Sequence, residues 1–322
     1  MRTIFTFFVV LTLVLAIRPD LPGRCLAESP DQTIDLRPRF VEGQTARYRV
    51  WTLRQRSFTM SINEQNLVRN DQAVFEGELT WQVEQVEDDG SAMCVMNLDW
   101  LTARITAPDG TERSNDSRQA SGDIEKLHQL MLAMVGEPIR VAVAADGSVT
   151  GVSGVEAIRQ QVPEGMSPPE DLDFMETASD LATIPFAPAE LALGDSFSAQ
   201  FNWNHDVVMS KVTAMIRHDG TYTLGSVEDV AGIPVATVEG AASLALDVDL
   251  SELPADGSPV EVRLLSGEST SQMMFDLWRH EVVGRNVVQK TQIEAVTTSD
   301  RGTISRTIDE MVQSQALRIA EQ

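Results

Sequence analysis

The chain has 322 residues, with 25 Lys and Arg against 48 Asp and Glu, and therefore a formal net charge of −23. So acidic a chain repels nucleic acid and anionic membrane surfaces, which excludes both as expected partners. Hydrophobic residues make up 43%, an ordinary share for a globular protein with one or two domains and a substantial core.

The N-terminus resembles an export signal. Arg2 precedes an apolar stretch, Ile4 to Ile17, that is shorter than the roughly 20 residues a transmembrane helix needs. Small residues at positions −3 and −1 favour cleavage after Ala27, so residues 1–27 are predicted to be a signal peptide. The mature chain is then periplasmic or extracellular, without stable membrane insertion, and its net charge is −25 because three Arg and one Asp are removed. The alternative is an uncleaved membrane anchor.

Residues 28–38 are polar and contain proline, which predicts a flexible mature N-terminus. Residues 39–162 form the first predicted β-rich half. Gly43 is followed by alternating apolar residues up to Thr52, which indicates the strand that opens this half. Further strands are predicted at Phe75–Val86 and Ala92–Ile105, joined by an Asp-Gly turn.

Cys94 is the one cysteine that remains after the predicted cleavage, so no intramolecular disulfide is expected. It alternates with Met96, Leu98 and Trp100, and this pattern indicates a buried thiol in the core.

One helix is predicted from Ile124 to Met134, because its apolar residues fall on a single helical face. Ser121 or Asp123 is the expected N-cap, and Gly136 with a following proline ends the helix. A hairpin follows, and then a second, short helix is predicted before Pro163.

Residues 163–188 are rich in proline and acidic residues and are predicted to connect the two halves. Their acidic cluster lacks the glycine and terminal glutamate of a calcium-binding loop, so no metal site is expected there.

Residues 189–320 form the second β-rich half. After Gly194 the residues alternate strictly between apolar and polar, which predicts its opening strand, and turns are predicted at Asp219-Gly220 and Asp256-Gly257. The five Asp-Gly pairs of the chain favour antiparallel hairpins. The predicted fold is therefore α+β and predominantly antiparallel β, with two related halves of long curved strands and one or two short helices.

Three short motifs resemble a secreted bacterial family of unknown function with two β-rich halves. They are Gly43 to Tyr48, Gly194-Asp195-Ser196-Phe197, and Phe275-Asp276 followed by Gly284-Arg285. The resemblance covers roughly residues 38–317 and implies no activity. More distantly, the layout is similar to LolA-like periplasmic lipoprotein carriers, which hold acyl chains on a curved sheet.

No catalytic, metal or cofactor motif is present. The four histidines lack ligand spacing, and His205 and Asp206 would point to opposite faces of a strand. The expected function is therefore non-enzymatic, without a cofactor.

Two non-enzymatic functions remain open. The first is a binding module for an apolar or lipid-like ligand, and the alternative is an envelope or extracellular structural or interaction protein. A ligand groove is predicted at Trp81, Met96 and Leu98, beneath the edge of the first helix, because Met and Trp accommodate variable acyl packing. These three residues would otherwise only fill the core.

Overall fold

The computed structural model describes residues 33–62, 65–164, 190–207, 212–249, 260–299 and 302–319. The predicted signal peptide and all but two residues of the predicted connector lie outside these ranges. The prediction of a mostly antiparallel β fold with two short helices is confirmed. The elements are β1 (Thr45–Ile62), β2 (Gln65–Val86), β3 (Ala92–Thr106), β4 (Glu112–Asp116), α1 (Glu125–Met134), β5 (Ile139–Val143), β6 (Val149–Ser153), α2 (Val155–Arg159), β7 (Ser196–Val207), β8 (Val212–Val230), β9 (Ile233–Asp249), β10 (Val260–Asp276), β11 (Glu281–Ser299) and β12 (Gly302–Ile319).

The twelve strands that the structure describes belong to one sheet. Its order is β6-β5-β3-β2-β1-β12-β11-β10-β9-β8-β7, and β4 pairs with β3 beside this path. The first and last strands of the chain pair along almost their whole length, from Arg47 opposite Ile319 to Ile62 opposite Ile304. The two halves of the sequence are therefore joined in one continuous sheet.

The two halves begin with the same hydrogen-bonded motif. The Gly43 amide donates to the carbonyl of Val83, whose own amide donates to Gln44. In the second half, the Gly194 amide donates to Leu224, and the Leu224 amide donates to Asp195. Both glycines have positive φ, 79° and 87°, which explains why glycine occupies these turns. The relation between the halves beyond this motif stays a prediction.

Two clusters of buried apolar residues lie at one end of the sheet, where β1 begins and β12 ends. We call this the core end, the opposite end the distal end, and the face that carries the clusters the inner face. The first cluster includes residues of β1, β2, β3 and β5 together with Ala133 of α1 and Ile158 of α2. The second includes residues of β7 to β11, among them Phe275 and Met273, both completely buried.

The described part of the predicted flexible N-terminus packs on the second cluster. Ile34 pairs with Leu191, and Leu36 is completely buried. An apolar pair separated by one residue is too short a pattern to indicate a strand, which is why this packing was not predicted.

The predicted turn at Asp219-Gly220 is wrong, because β8 runs without interruption through both residues. Gly220 has a packing role instead. A Cβ at this position would lie 2.8 Å from a ring carbon of Tyr222, so the ring lies over the glycine. The Asp-Gly pairs at 89–90, 109–110 and 146–147 do lie in turns, with positive φ at each glycine. The Asp-Gly pair at 256–257 lies outside the described residues.

The start of α1 also differs from the prediction. Its N-cap residue is Ile124, and neither Ser121 nor Asp123 caps it with a side chain. The buried amide of Asn115 replaces them, donating to the Ile124 carbonyl at 2.7 Å and accepting from the Ile124 amide at 3.1 Å. This residue comes from β4, a strand that the periodicity did not predict.

Candidate functional site

The three residues of the predicted ligand groove lie in the first cluster. Trp81 of β2 is directly opposite Met96 of β3, and the exposed fractions are 6% and 5%. Leu98 is partly buried and packs against the same cluster, where its carbonyl accepts a hydrogen bond from the Gly136 amide after α1. The structure thus brings the three together beneath the end of α1. Their role in binding a ligand stays a prediction.

Cys94 lies in the same cluster and is completely buried, as predicted for a core thiol. Burial raises its pKa to about 12, and a hydrogen bond with Trp81 opposes the increase only in part. At pH 8 we expect iodoacetamide to modify the native mature protein at least about 100-fold more slowly than the urea-unfolded protein, since the thiolate is the nucleophile. Mass spectrometry measures both rates. Equal rates would contradict the burial.

Beyond the clusters, the register of the four central strands defines the inner face towards the distal end. Residues directly opposite each other in antiparallel strands share a face, so each row across the sheet can be read from the pairing. Across β2, β1, β12 and β11 the rows are Asp71–Arg56–Glu310–Thr291, then Arg69–Phe58–Ile308–Ile293, then Leu67–Met60–Arg306–Ala295.

The first of these rows contains an ion-pair network around a buried carboxylate. The Arg54 guanidinium, one row nearer the core end, donates to Glu310 at 2.5 Å, and the Glu310 side chain is only 2% exposed. The Arg56 Nε atom is 3.9 Å from the same carboxylate and 3.5 Å from the Asp71 carboxylate. Two partly exposed arginines therefore compensate the charge of the buried Glu310, and Arg56 also faces the Asp71 carboxylate.

The two rows beyond the network are mainly apolar. Ile293 is 1% exposed, Ile308 5%, and Phe58 and Met60 are partly buried. The same face then reaches solvent, because Ile62 is 39% exposed and Leu67 59% exposed. We call these residues the distal apolar strip: Phe58, Met60, Ile62, Leu67, Ile293, Ala295, Ile304 and Ile308.

The sheet curls towards its inner face between β8 and β11. The pKa of His218 on β8 is affected by the charge of Arg285 and by a hydrogen bond with Gln289. Both residues belong to β11, although β9 and β10 lie between the two strands. In a flat sheet the two strands would be roughly 14 Å apart. Small inner-face residues on β9 and β10, such as Gly240, Ala242 and Ser269, permit this approach.

The pKa of His218 is lowered from 6.5 to about 4, chiefly by burial and then by the Arg285 charge, while a hydrogen bond with Gln289 opposes the decrease. Since the unfolded chain binds this proton near pH 6.5 and the folded chain only near pH 4, stability should fall as the pH falls through that window. From pH 7 to pH 5 we expect about 1–2 kcal/mol of loss from this group. Urea unfolding of the native protein and of His218→Gln measures it, and an equal loss in both would contradict the assignment.

A cavity of about 700 Å3 lies towards the distal end, and residues of both faces line it. Its wall includes Gln55, Gln72 and Met311, which form one row of the opposite face, together with the turn after β3. The charged row of the inner face also contributes to the wall. None of the residues of the distal apolar strip is among those that line this cavity, so the two features are separate.

The sequence analysis did not predict the charged row or its neighbours on the inner face. The sequence pattern that could have indicated this row lies in β1. Arg54 and Arg56 occupy the same alternating positions as Phe58 and Met60, so all four share one face of the strand. In the part of the chain that the structure describes, no group of three or more metal-ligating side chains is found. Within the same residues, no helix is long and apolar enough to cross a membrane.

No family model and no curated protein matches the chain. Among solved structures, the outer membrane protein OprG from Pseudomonas aeruginosa aligns over 87% of this chain and 99% of its own, with 5% identity and a TM-score of 0.23. OccK7 from Pseudomonas aeruginosa aligns over 87% and 100%, with 9% identity and a TM-score of 0.24. A DUF1329 family protein from Desulfovibrio piger aligns over 81% and 83%, with 11% identity and a TM-score of 0.15. Similarities of this size carry no argument about this chain, and the resemblance to a family of unknown function stays a prediction.

Proposed function

We propose that the protein is an exported, non-enzymatic binding protein for an apolar or lipid-like ligand, and that the ligand lies along the distal apolar strip. The observation that carries this proposal is the continuity of the strip. It begins at buried Ile293 and Ile308 and ends at exposed Ile62 and Leu67 on the same face. An apolar surface that continues from the interior to solvent gives an acyl chain both a binding surface and an entry.

The neighbouring residues of the β1–β2 hairpin provide a matched test. Ile62→Glu with Leu67→Glu places charges on the strip, whereas Ser61→Glu with Val68→Glu places them on the opposite face of the same hairpin. Leu67 and Val68 are both more than half exposed, so both double variants should fold. We expect the first to lose most of its uptake of a fluorescent fatty acid and the second to retain it.

The two possible positions of the ligand can also be separated. A ligand at Trp81, Met96 and Leu98 would be sensitive to Leu98→Ala and insensitive to charges on the β1–β2 hairpin. Uptake that is equal in the native protein and in both hairpin variants would contradict the proposed position. Absence of any uptake, together with no lipid detected by native mass spectrometry of the protein purified from its source, would contradict the proposed function.

Export has a separate test. The proposed cleavage after Ala27 requires that N-terminal sequencing of the secreted form begins at Glu28. A lipidated Cys25 at the N-terminus would contradict it and would tether the protein to a membrane.

A second candidate, a structural or interaction protein, is favoured by one observation. The pairing of β2 with β3 ends at Gln72 opposite Thr106, so residues 65–71 pair only with β1 among the described residues. An open strand edge can add a strand from another chain. Self-association that Asn70→Pro abolishes, in a protein that takes up no lipid, would support this second function.

A further inference from the structure

The charges on the distal part of the inner face differ in sign from those of the whole chain. On the described inner-face positions from Arg54 to Ile62 and on the residues opposite them in β2 and β12, four arginines face two carboxylates. The whole chain has a net charge of −23. A local excess of positive charge on one face of so acidic a protein attracts an anion that the rest of the surface repels.

Two of these arginines have no ion-pair partner among the residues that the structure describes. Arg54 and Arg56 are paired with Glu310 and Asp71 in the ion-pair network. Arg69 and Arg306 form no ion pair with any described residue, and the buried Nε atom of Arg306 has no hydrogen-bond partner there. A buried guanidinium nitrogen without an acceptor carries a desolvation cost that an anionic ligand would offset.

Arg69 and Arg306 flank the distal apolar strip. Arg69 is opposite Phe58 on β2, and Arg306 is opposite Met60 on β12, so they lie on the two sides of β1 and two residues apart along it. Strand spacings place their Cα atoms roughly 12 Å apart, a distance that two arginine side chains can span from both sides. Their guanidinium groups can therefore meet above Phe58 and Met60.

From this arrangement we propose that the ligand is an anionic amphiphile, with its carboxylate or phosphate bound by Arg69 and Arg306 and its chain lying along the distal apolar strip. This inference rests on the proposed function and adds the charge of the ligand to it. Guanidinium groups bind carboxylates and phosphates through charge-assisted, paired hydrogen bonds, while the strip supplies area for the chain. A neutral lipid of the same chain length would leave Arg306 without an acceptor.

The test compares a fluorescent fatty acid with the fatty alcohol of the same chain and fluorophore, bound to the mature full-length protein. We expect the acid to bind about tenfold or more tightly than the alcohol. Arg69→Gln with Arg306→Gln should reduce binding of the acid to the level of the alcohol and leave binding of the alcohol unchanged. Arg69→Gln alone, at an exposed position, should remove part of the preference without risk to folding.

The control removes two arginines from the opposite face. Arg104 and Arg263 lie there in half-exposed ion pairs, so Arg104→Gln with Arg263→Gln should keep the full preference for the acid. Equal binding of acid and alcohol to the native protein would overturn this inference while the proposed function stands. Failure of both to bind would overturn both. Displacement of the acid by inorganic phosphate alone would show a site for free anions and would contradict an amphiphilic ligand.

Discussion

Glu310→Ala should lower the free energy of unfolding by about 3 kcal/mol, the largest effect that we expect from a single substitution in this chain. The Glu310 side chain is 2% exposed and holds two guanidinium groups, that of Arg54 at 2.5 Å and that of Arg56 at 3.9 Å. Removing the carboxylate leaves two partly buried positive charges next to each other, with Asp71 as the remaining acid of the row. Urea unfolding of the mature protein measures the loss.

The control for this prediction is Glu268→Ala on the opposite face. Glu268 accepts from Lys290 at 3.0 Å, a normal ion-pair distance, but both side chains are more than half exposed. Water and salt screen such a pair, so the change should be within about 0.5 kcal/mol. If Glu310→Ala and Glu268→Ala cost the same, burial of the network contributes nothing to stability and our description of it is wrong.

Gly240→Ala should lower the free energy of unfolding by about 2 kcal/mol, although the added group is a single methyl. Gly240 lies between Tyr222 of β8 and Ser271 of β10. A Cβ there would be 2.5 Å from one ring carbon of Tyr222 and would also overlap the Ser271 hydroxyl. Tyr222 cannot move aside easily, because it is buried and stacks on Phe197 with ring centroids 5.5 Å apart.

Two comparisons make this prediction specific. A Cβ at Gly225 would lie 3.6 Å from its nearest atom, which is an ordinary contact. Gly225→Ala should therefore change the free energy of unfolding by no more than about 0.5 kcal/mol. In a Tyr222→Ala background the cost of Gly240→Ala should shrink, since the ring that collides is gone. An unchanged cost in that background would show that the glycine is needed for another reason.

The type and approximate position of most elements could be predicted from local periodicity. Alternation after Gly43 and Gly194 indicated strands, and the apolar face between Ile124 and Met134 indicated a helix, because these patterns depend only on near neighbours in sequence. The strands are longer than predicted. The polar residues that separated the predicted strands from one another, such as Arg54 and Asp219, lie within continuing strands.

The inner-face charges could not be predicted in this way. Whether Arg56 is a solvated surface residue or a member of a buried network depends on Glu310, which is more than 250 positions away in the sequence. The environment of Arg306 could not be predicted for the same reason, since its neighbours Met60 and Ala295 belong to other strands. For Trp81 and Met96, the sequence predicted their proximity to each other and to the helix, because β2 and β3 form a simple hairpin.

The pairing of β1 with β12 has a consequence for the order of folding. Arg47 and Ile319 are 272 positions apart, whereas every other strand pairing except that of β3 with β5 joins consecutive strands. Hairpins can form as soon as their strands are available, but β1 has to wait for the last strand of the chain, and loop closure over this distance is slow. Until then the β1 edge stays open and prone to pairing with other chains. A chaperone that protects this edge during folding would therefore act on residues 45–62, and a chain shortened before β12 would be expected to aggregate even though each remaining hairpin is intact.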